Sequence, residues 1–324
     1  VRKAGETLRV SAQLLDAGNA VQLWSQNYDR QLSAESLFAV QDDIREQIVA
    51  TLSDLHGVIY SAQSEKSVHR PTGSLNAYEC LSVALAYDKY LSKENHLRAR
   101  ESLERAIEID PEFDEAWAHL SWIYTDEWVW EFNPLPDSMQ RALDAALHAI
   151  QLSPKNYHNH WLLSRVHYFM KDQERFLSSS RRALELNSSD GTTLGLIGLY
   201  TAFSGEWDRG VEMINKAKIL NPNYPDYYHV ALGTAEFAKG DYPAALKELQ
   251  KATNVDWHLL QIFLTATYAM LGRDNEAAQH LEKSGQLLDG LTTERAREFI
   301  AKTFPFVPDY VETVVDGLRK AGLD

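Results

Sequence analysis

One frame recurs about every 34 residues between Tyr78 and Asp289: apolar-x-x-apolar-small, then spaced alanines, then proline. It reads most clearly in Trp117-x-x-Leu120-Ser121-x-x-Tyr124, closed by Ala142, Ala146, Ala149 and Pro154. A period in the thirties with these residue types specifies a helix-turn-helix unit. Such a unit cannot bury its apolar face alone. It must stack on copies of itself, and the stack builds an extended concave surface suited to binding.

Six copies are expected. The first runs from Tyr78-x-x-Leu81-Ser82 to Pro111, and the second from Trp117 to Pro154 with an insertion after Tyr124. The third carries Ser188 in place of proline, and the fourth closes at Pro222. The fifth holds Gly240-Asp241-Tyr242-Pro243-Ala244-Ala245, with Trp257 at the proline position. The sixth carries Leu264, Tyr268, Gly272 and Ala277. Small residues such as Gly198, Gly233 and Ala245 let paired helices approach, and Trp117, Tyr124 and Tyr268 fill the space beside them. Gly205, Gly240 and Gly272 suit the left-handed residue that ends a helix, and Pro111, Pro154 and Pro222 stop the next one.

Ahead of the array, Leu8, Val10, Ala12 and Leu14 alternate with Arg9, Ser11 and Gln13, which predicts a half-buried strand. Asp16-Ala17-Gly18-Asn19 supplies a turn, and Val21 to Tyr28 the returning strand. Residues 36–60 have helical spacing through Leu37, Val40, Ile44, Ile48 and Leu52. A hairpin and one helix are marginal alone. Residues 1–60 are therefore expected to be the C-terminal part of a small α/β domain, with 61–75 as linker, 76–289 as repeats and 290–324 as C-terminal capping helices.

The net charge is −14, of which −2 falls in residues 1–75 and −12 in the rest. An acidic solenoid lacks the clustered cations that phosphate contacts need, so no nucleic-acid partner is expected. No apolar run is long enough to span a membrane. Cys80 is the single cysteine, so no intrachain disulfide forms. With no export signal either, the cytoplasm is the expected compartment, and a membrane segment upstream would leave the periplasm open.

The repeat frame resembles the tetratricopeptide repeat family over roughly residues 76–289. That resemblance implies an all-α fold: a right-handed superhelix of about six repeats plus capping helices, behind a short, truncated α/β segment. The segments Val1-Arg2-Lys3-Ala4-Gly5, Leu8–Leu14, Leu23-Trp24-Ser25, Tyr28-Asp29-Arg30 and Phe38–Ile44 are similar to the end of the TolB amino-terminal-like domain. That likeness implies a bacterial multidomain regulator, with a class III adenylate/guanylate cyclase or winged-helix DNA-binding domain ahead.

No phosphate loop, zinc helix, paired CxxC or nucleophile elbow occurs, so no catalytic residue and no cofactor is assigned. Gly195-Leu196-Ile197-Gly198 sits in a repeat helix, where its glycines serve packing. His158 and His160, two apart on a helix, face different directions and make a poor metal pair. Asp42, Asp43 and Glu46 are read as the polar face of an amphipathic helix.

The tetratricopeptide likeness implies which positions face the groove: Trp122, then His158, Trp161, Arg165, Tyr168 and Phe169, then Leu199 and Phe203, then Tyr227 and Phe237. These form an aromatic strip with one cation. A clamp for a free carboxylate needs several basic and amide side chains, and only Arg165 and Asn76 are present. A strip this apolar requires a cover. A partner protein or peptide ranks first, the chain's own segments second, a small apolar ligand third; self-association is a further alternative. The insertion Glu127–Asp137, with Trp128, Trp130 and Phe132, either folds over the concave mouth or braces the neighbouring repeat.

Overall fold

The computed structural model describes residues 1–18, 20–31, 37–53, 73, 75–89, 91–221, 224–253, 257–288 and 290–324. Pro222, Asp289, residues 54–60 of the expected first helix and most of the linker lie outside them. Leu75, assigned to the linker from sequence, is buried in the core of the first repeat.

The N-terminal part is a three-stranded antiparallel sheet, β1 (Arg2–Ala4), β2 (Thr7–Leu15) and β3 (Gln22–Gln31), in that order. The hairpin thus gains an edge strand, turned by Gly5 at φ +60°, a conformation glycine adopts without strain. On one face Arg9 donates to Asp29 at 2.7 Å and Ser11 to Asn27 at 2.5 Å. Helix α1 (Leu37–Ser53) is tied to the sheet by Arg30, whose Nε donates to Asp43 at 2.7 Å. Asp43 therefore serves docking.

Six helix pairs follow. They are α2 (Ala77–Leu85) with α3 (Lys93–Ile109), α4 (Asp114–Val129) with α5 (Ser138–Leu152), and α6 (Tyr157–Phe169) with α7 (Gln173–Leu186). Then come α8 (Gly191–Phe203) with α9 (Trp207–Leu220), α10 (Tyr228–Ala238) with α11 (Tyr242–Leu249), and α12 (His258–Met270) with α13 (Asp274–Leu287). The two closing helices are α14 (Thr293–Thr303) and α15 (Pro308–Lys320). Among the described residues no helix is long and apolar enough to cross a membrane.

Helix starts follow the local sequence. Asn76 forms a capping box with Glu79, accepting from its backbone N–H at 2.9 Å while the Glu79 carboxylate accepts from the Asn76 N–H. Asp172, Asp190 and Asp241 cap α7, α8 and α11 in the simpler way. The α8–α9 crossing is so close that a Cβ on Gly210 would meet the Ala202 nitrogen at 2.5 Å. Gly205, Gly240 and Gly272 all take positive φ at the turn inside a repeat. In the third repeat that place falls to Lys171, at φ +61°. A side chain there costs about 1–2 kcal/mol. Lys171→Gly is accordingly expected to stabilise the chain by ~0.5–1 kcal/mol, read as a rise in the urea midpoint at constant m.

The first helices of the pairs, α4, α6, α8, α10 and α12, pack side by side and form the inner wall. Every residue of α8 is buried, as are Trp161–Phe169 of α6 and Leu259–Ala269 of α12. A helix buried all round has neighbours on every side. The outer helices α9, α7 and α13 supply one side, and α14–α15 supply the other. The closing helices do more than cap the last repeat: they turn back along the concave face. Gly317 of α15 sits on Ala266 of α12, and Tyr310 reaches Phe237 of α10. Phe304 meets Phe203 of α8 at 4.6 Å, and Phe306 meets Tyr168 of α6 at 5.5 Å.

Candidate functional site

The centre of the inner wall is an ion pair. Arg165 of α6, 2% exposed, donates through Nη2 to Asp126 of α4, which is 0% exposed. Its Nε donates to the Tyr200 hydroxyl at 2.9 Å and its Nη1 to the Trp122 carbonyl at 3.3 Å. The second Asp126 oxygen accepts from Tyr87 Oη at 2.9 Å and Trp122 Nε1 at 3.0 Å. Trp122 and Phe169 place their rings 5.0 and 5.1 Å from the guanidinium. Burial works against the Arg165 charge, but the Asp126 carboxylate and Tyr200 hydroxyl outweigh it, so its pKa lies above the ordinary arginine value. Asn76 is equally committed, to its helix cap. Neither is free to clamp a carboxylate.

Beside this pair lies a cleft of about 70 Å³ that opens to solvent. Trp122, Arg165, Phe169, Leu199, Phe203 and Tyr227 from the sequence-derived strip line it together, with Trp130 from the insertion. Trp161, Tyr168 and Phe237 lie deeper and do not. Trp161 is 1% exposed and packs 6.4 Å from Trp122 and 5.7 Å from Tyr200. Tyr168 donates to the Thr303 carbonyl at 2.7 Å. Phe237 packs against Phe263 and Tyr310. His158 stands apart beside Tyr157, at 4.4 Å, and His160 reaches the Pro154 carbonyl. Among the described residues no group of three metal-binding side chains comes together. Asp126, Tyr200 and Trp257 also build the cleft but carry no groove position in the repeat frame; Trp257 is noticed in the sequence only as a missing proline.

The insertion bridges three parts of the molecule. Glu131 and Asn133 take positive φ, at 56° and 47°. Asn133 donates to the Lys93 carbonyl at 2.6 Å, and Arg100 of α3 donates to the Asn133 carbonyl at 3.0 Å. Phe132 lies between His96 of the first repeat and His258 of the sixth, at 6.0 and 6.3 Å. Trp130 meets Phe299 of α14 at 5.8 Å, and Trp128 lies 6.3 Å from Phe169, with Lys302 Nζ 5.2 Å from its ring. Glu131 accepts from both Arg295 and Lys302. The Arg295 hydrogen bond, aided by Lys302, brings the Glu131 carboxyl down to about 2. The first and last repeats thereby join across the mouth, and the superhelix closes into a ring.

Two histidines stand at this closure, His96 buried and His258 half-buried. Asn133 Nδ2 lies 3.3 Å from His96 Nδ1, which assigns Nδ1 as acceptor and Nε2 as the donor to the Ile123 carbonyl at 3.0 Å. Burial lowers the pKa of His96 and His258, and of His167 and His280 elsewhere. In the unfolded chain a histidine titrates near ~6.5. The native state therefore binds fewer protons below that pH. Stability is fully present above it and is lost as pH falls through 6.5 towards the folded values, at no more than about 1.4 kcal/mol per pH unit per histidine. Thermal unfolding at pH 7 and pH 5 checks this: a midpoint that does not fall at pH 5 contradicts it.

Residues 90–113 match the tetratricopeptide repeat family. A 172-residue stretch is 30% identical to a protein of Rhizobium meliloti (strain 1021) named putative adenylate cyclase 3. The match covers 53% of this chain and 28% of that protein, so the chain spans under a third of the relative's length. The fold resembles that in the crystal structure of the APC/C hetero-tetramer Cut9-Hcn1, with a TM-score of 0.58 at 14% identity over 76% of this chain and 47% of the other. It also resembles the human IFIT1 dimer with m7Gppp-AAAA, with a TM-score of 0.56 at 17% identity over 76% and 58%. The matched repeat, the six helix pairs and the shared superhelical fold support tetratricopeptide repeats as the framework of this chain.

Proposed function

We propose that this chain is a non-catalytic protein-interaction and signal-sensing region of a larger bacterial regulator. Its concave aromatic strip takes a partner helix in competition with α14–α15. One observation carries the reading: the strip is already covered by the α14–α15 hairpin, which presents Phe304 and Phe306 from its connection and Tyr310 from α15 as a bound partner would. Tyr168, Phe203 and Phe237 are the receiving side chains. Loosening the internal helices with Phe304→Ala and Tyr310→Ala opens the strip to a second occupant. A fluorescent peptide of residues 292–324 then binds the loosened chain, by anisotropy, and fails to bind when Phe203→Ala is added. Absence of binding to the loosened chain counts against the reading.

The similarity to the Rhizobium meliloti protein favours a second, compatible reading: the chain is the regulatory part of a nucleotidyl cyclase polypeptide. The resemblance of the sequence segments between Val1 and Ile44 to the end of a TolB amino-terminal-like domain favours the same placement. Movement of α14–α15 would then pass through the array to the output domain. Cyclic AMP formed by the polypeptide carrying this chain, with and without Phe304→Ala and Tyr310→Ala, tests it; equal rates count against it.

A further inference from the structure

We propose that the insertion after α4 is an electrostatic latch: Glu131 at its tip holds the ring shut through Arg295 and Lys302, and breaking that contact opens the mouth while the repeats stay folded. The proposal concerns the closure itself and holds whether or not a partner helix displaces α14–α15. The segment is firmly rooted on the side of its own repeat. Its root is Glu127, in the last turn of α4, with a side chain 0% exposed. Glu127 accepts from Arg100 of α3 at 2.8 Å, from Arg141 of α5 and from the Leu135 N–H at 3.3 Å. Asn133 is bonded twice to α3, at Lys93 and at Arg100.

The hold on α14 is of another kind. The Glu131 side chain is 41% exposed, against 30% for Arg295 and 23% for Lys302. Lys302 also donates to the Trp128 carbonyl at 3.3 Å, so it pins the tip at two points. Charge pairs this open to water are screened by salt, and buried pairs such as Glu127 with Arg100 much less. The latch therefore yields before the root does. The backbone favours release. Glu131 sits at φ +56°, a region that glutamate rarely adopts, and such a conformation persists only while its surroundings hold it. Once the charge contact is lost, the tip relaxes about the Glu127 root. Trp130 and Thr303 both line the cleft beside Arg165, so the same movement uncovers it.

Fluorine NMR of the full chain labelled with fluorotryptophan tests this. Trp130, which packs on Phe299 of α14, reports the tip, and Trp161, 1% exposed within the array, is the internal control. Trp130→Phe and Trp161→Phe identify the two resonances. Raising KCl from ~0.05 M to ~1 M shortens the screening length to ~3 Å. A second Trp130 resonance, with the solvent isotope shift of an exposed ring, grows as it does so. Glu131→Gln keeps the shape of the side chain and loses its charge. It raises the open share about tenfold at low salt and abolishes the salt response. Glu298→Gln removes a different carboxylate, 3.8 Å from Arg295, and leaves Trp130 closed. A single Trp130 resonance, both in the intact chain at high salt and in Glu131→Gln, overturns the proposal. So does an equal response to Glu298→Gln, or a Trp161 resonance that moves together with Trp130, because the array itself is then loosening.

Discussion

Asp126→Asn is expected to destabilise the chain by about 3–5 kcal/mol, the scale of losing one partner from a buried ion pair. The substitution is isosteric, so the loss is electrostatic. Arg165 stays at 2% exposure with its charge uncompensated. The new amide has no harmless orientation. One Asp126 oxygen accepts from Arg165 and the other from Tyr87 and Trp122, so an NH₂ at either place faces a donor. Removing both partners is a different matter. Asp126→Leu with Arg165→Met leaves no orphaned charge and is expected to recover most of the loss, since apolar replacements of buried ion pairs are often neutral or stabilising. Urea denaturation followed by both far-ultraviolet circular dichroism and tryptophan emission measures the difference. A loss below ~1 kcal/mol for Asp126→Asn means that Arg165 relaxes to solvent, and the pair then does not hold the inner wall together.

The helix pairs are legible in the sequence because each is a local pattern repeated at a fixed spacing. The groove positions are legible for the same reason: Trp122, Arg165, Phe169, Leu199 and Phe203 converge on one cleft because the register places them on one wall. The partners of those side chains are another matter. Asp126 neutralises Arg165 from 39 residues away, and Glu131 meets Arg295 across 164 residues. No spacing rule links such pairs. The apolar faces of α14 and α15 show that these helices must pack, yet they carry no repeat frame that says where. A strip that reads as waiting for a partner is therefore found already covered. Strand β1 escaped for a simpler reason: three residues, two of them charged, show no alternation.

Phe304→Ala together with Tyr310→Ala is expected to release α14–α15 from the concave face while the six repeats stay folded. Phe304 is 1% exposed and touches Phe203, Phe263 and Tyr310; Tyr310 also touches Trp207 and Phe237. Truncating a buried phenylalanine costs about 3–5 kcal/mol, and the second ring adds to it. The loss falls on a separable unit, because repeats in a solenoid depend mainly on their immediate neighbours. Hydrogen exchange should accelerate in residues 293–320 and remain slow in α2–α7. Tyr310→Phe is the control. It keeps the ring contacts, loses only the hydroxyl donated to the Thr234 carbonyl at 3.0 Å, and should cost about 1 kcal/mol without selective exchange. Release also uncovers α8, whose thirteen residues are all buried in the closed ring. A surface that apolar binds a second occupant or aggregates. A released chain that stays monomeric, with no gain in affinity for the residue 292–324 peptide, separates the closing helices from the binding function and leaves them a purely structural role.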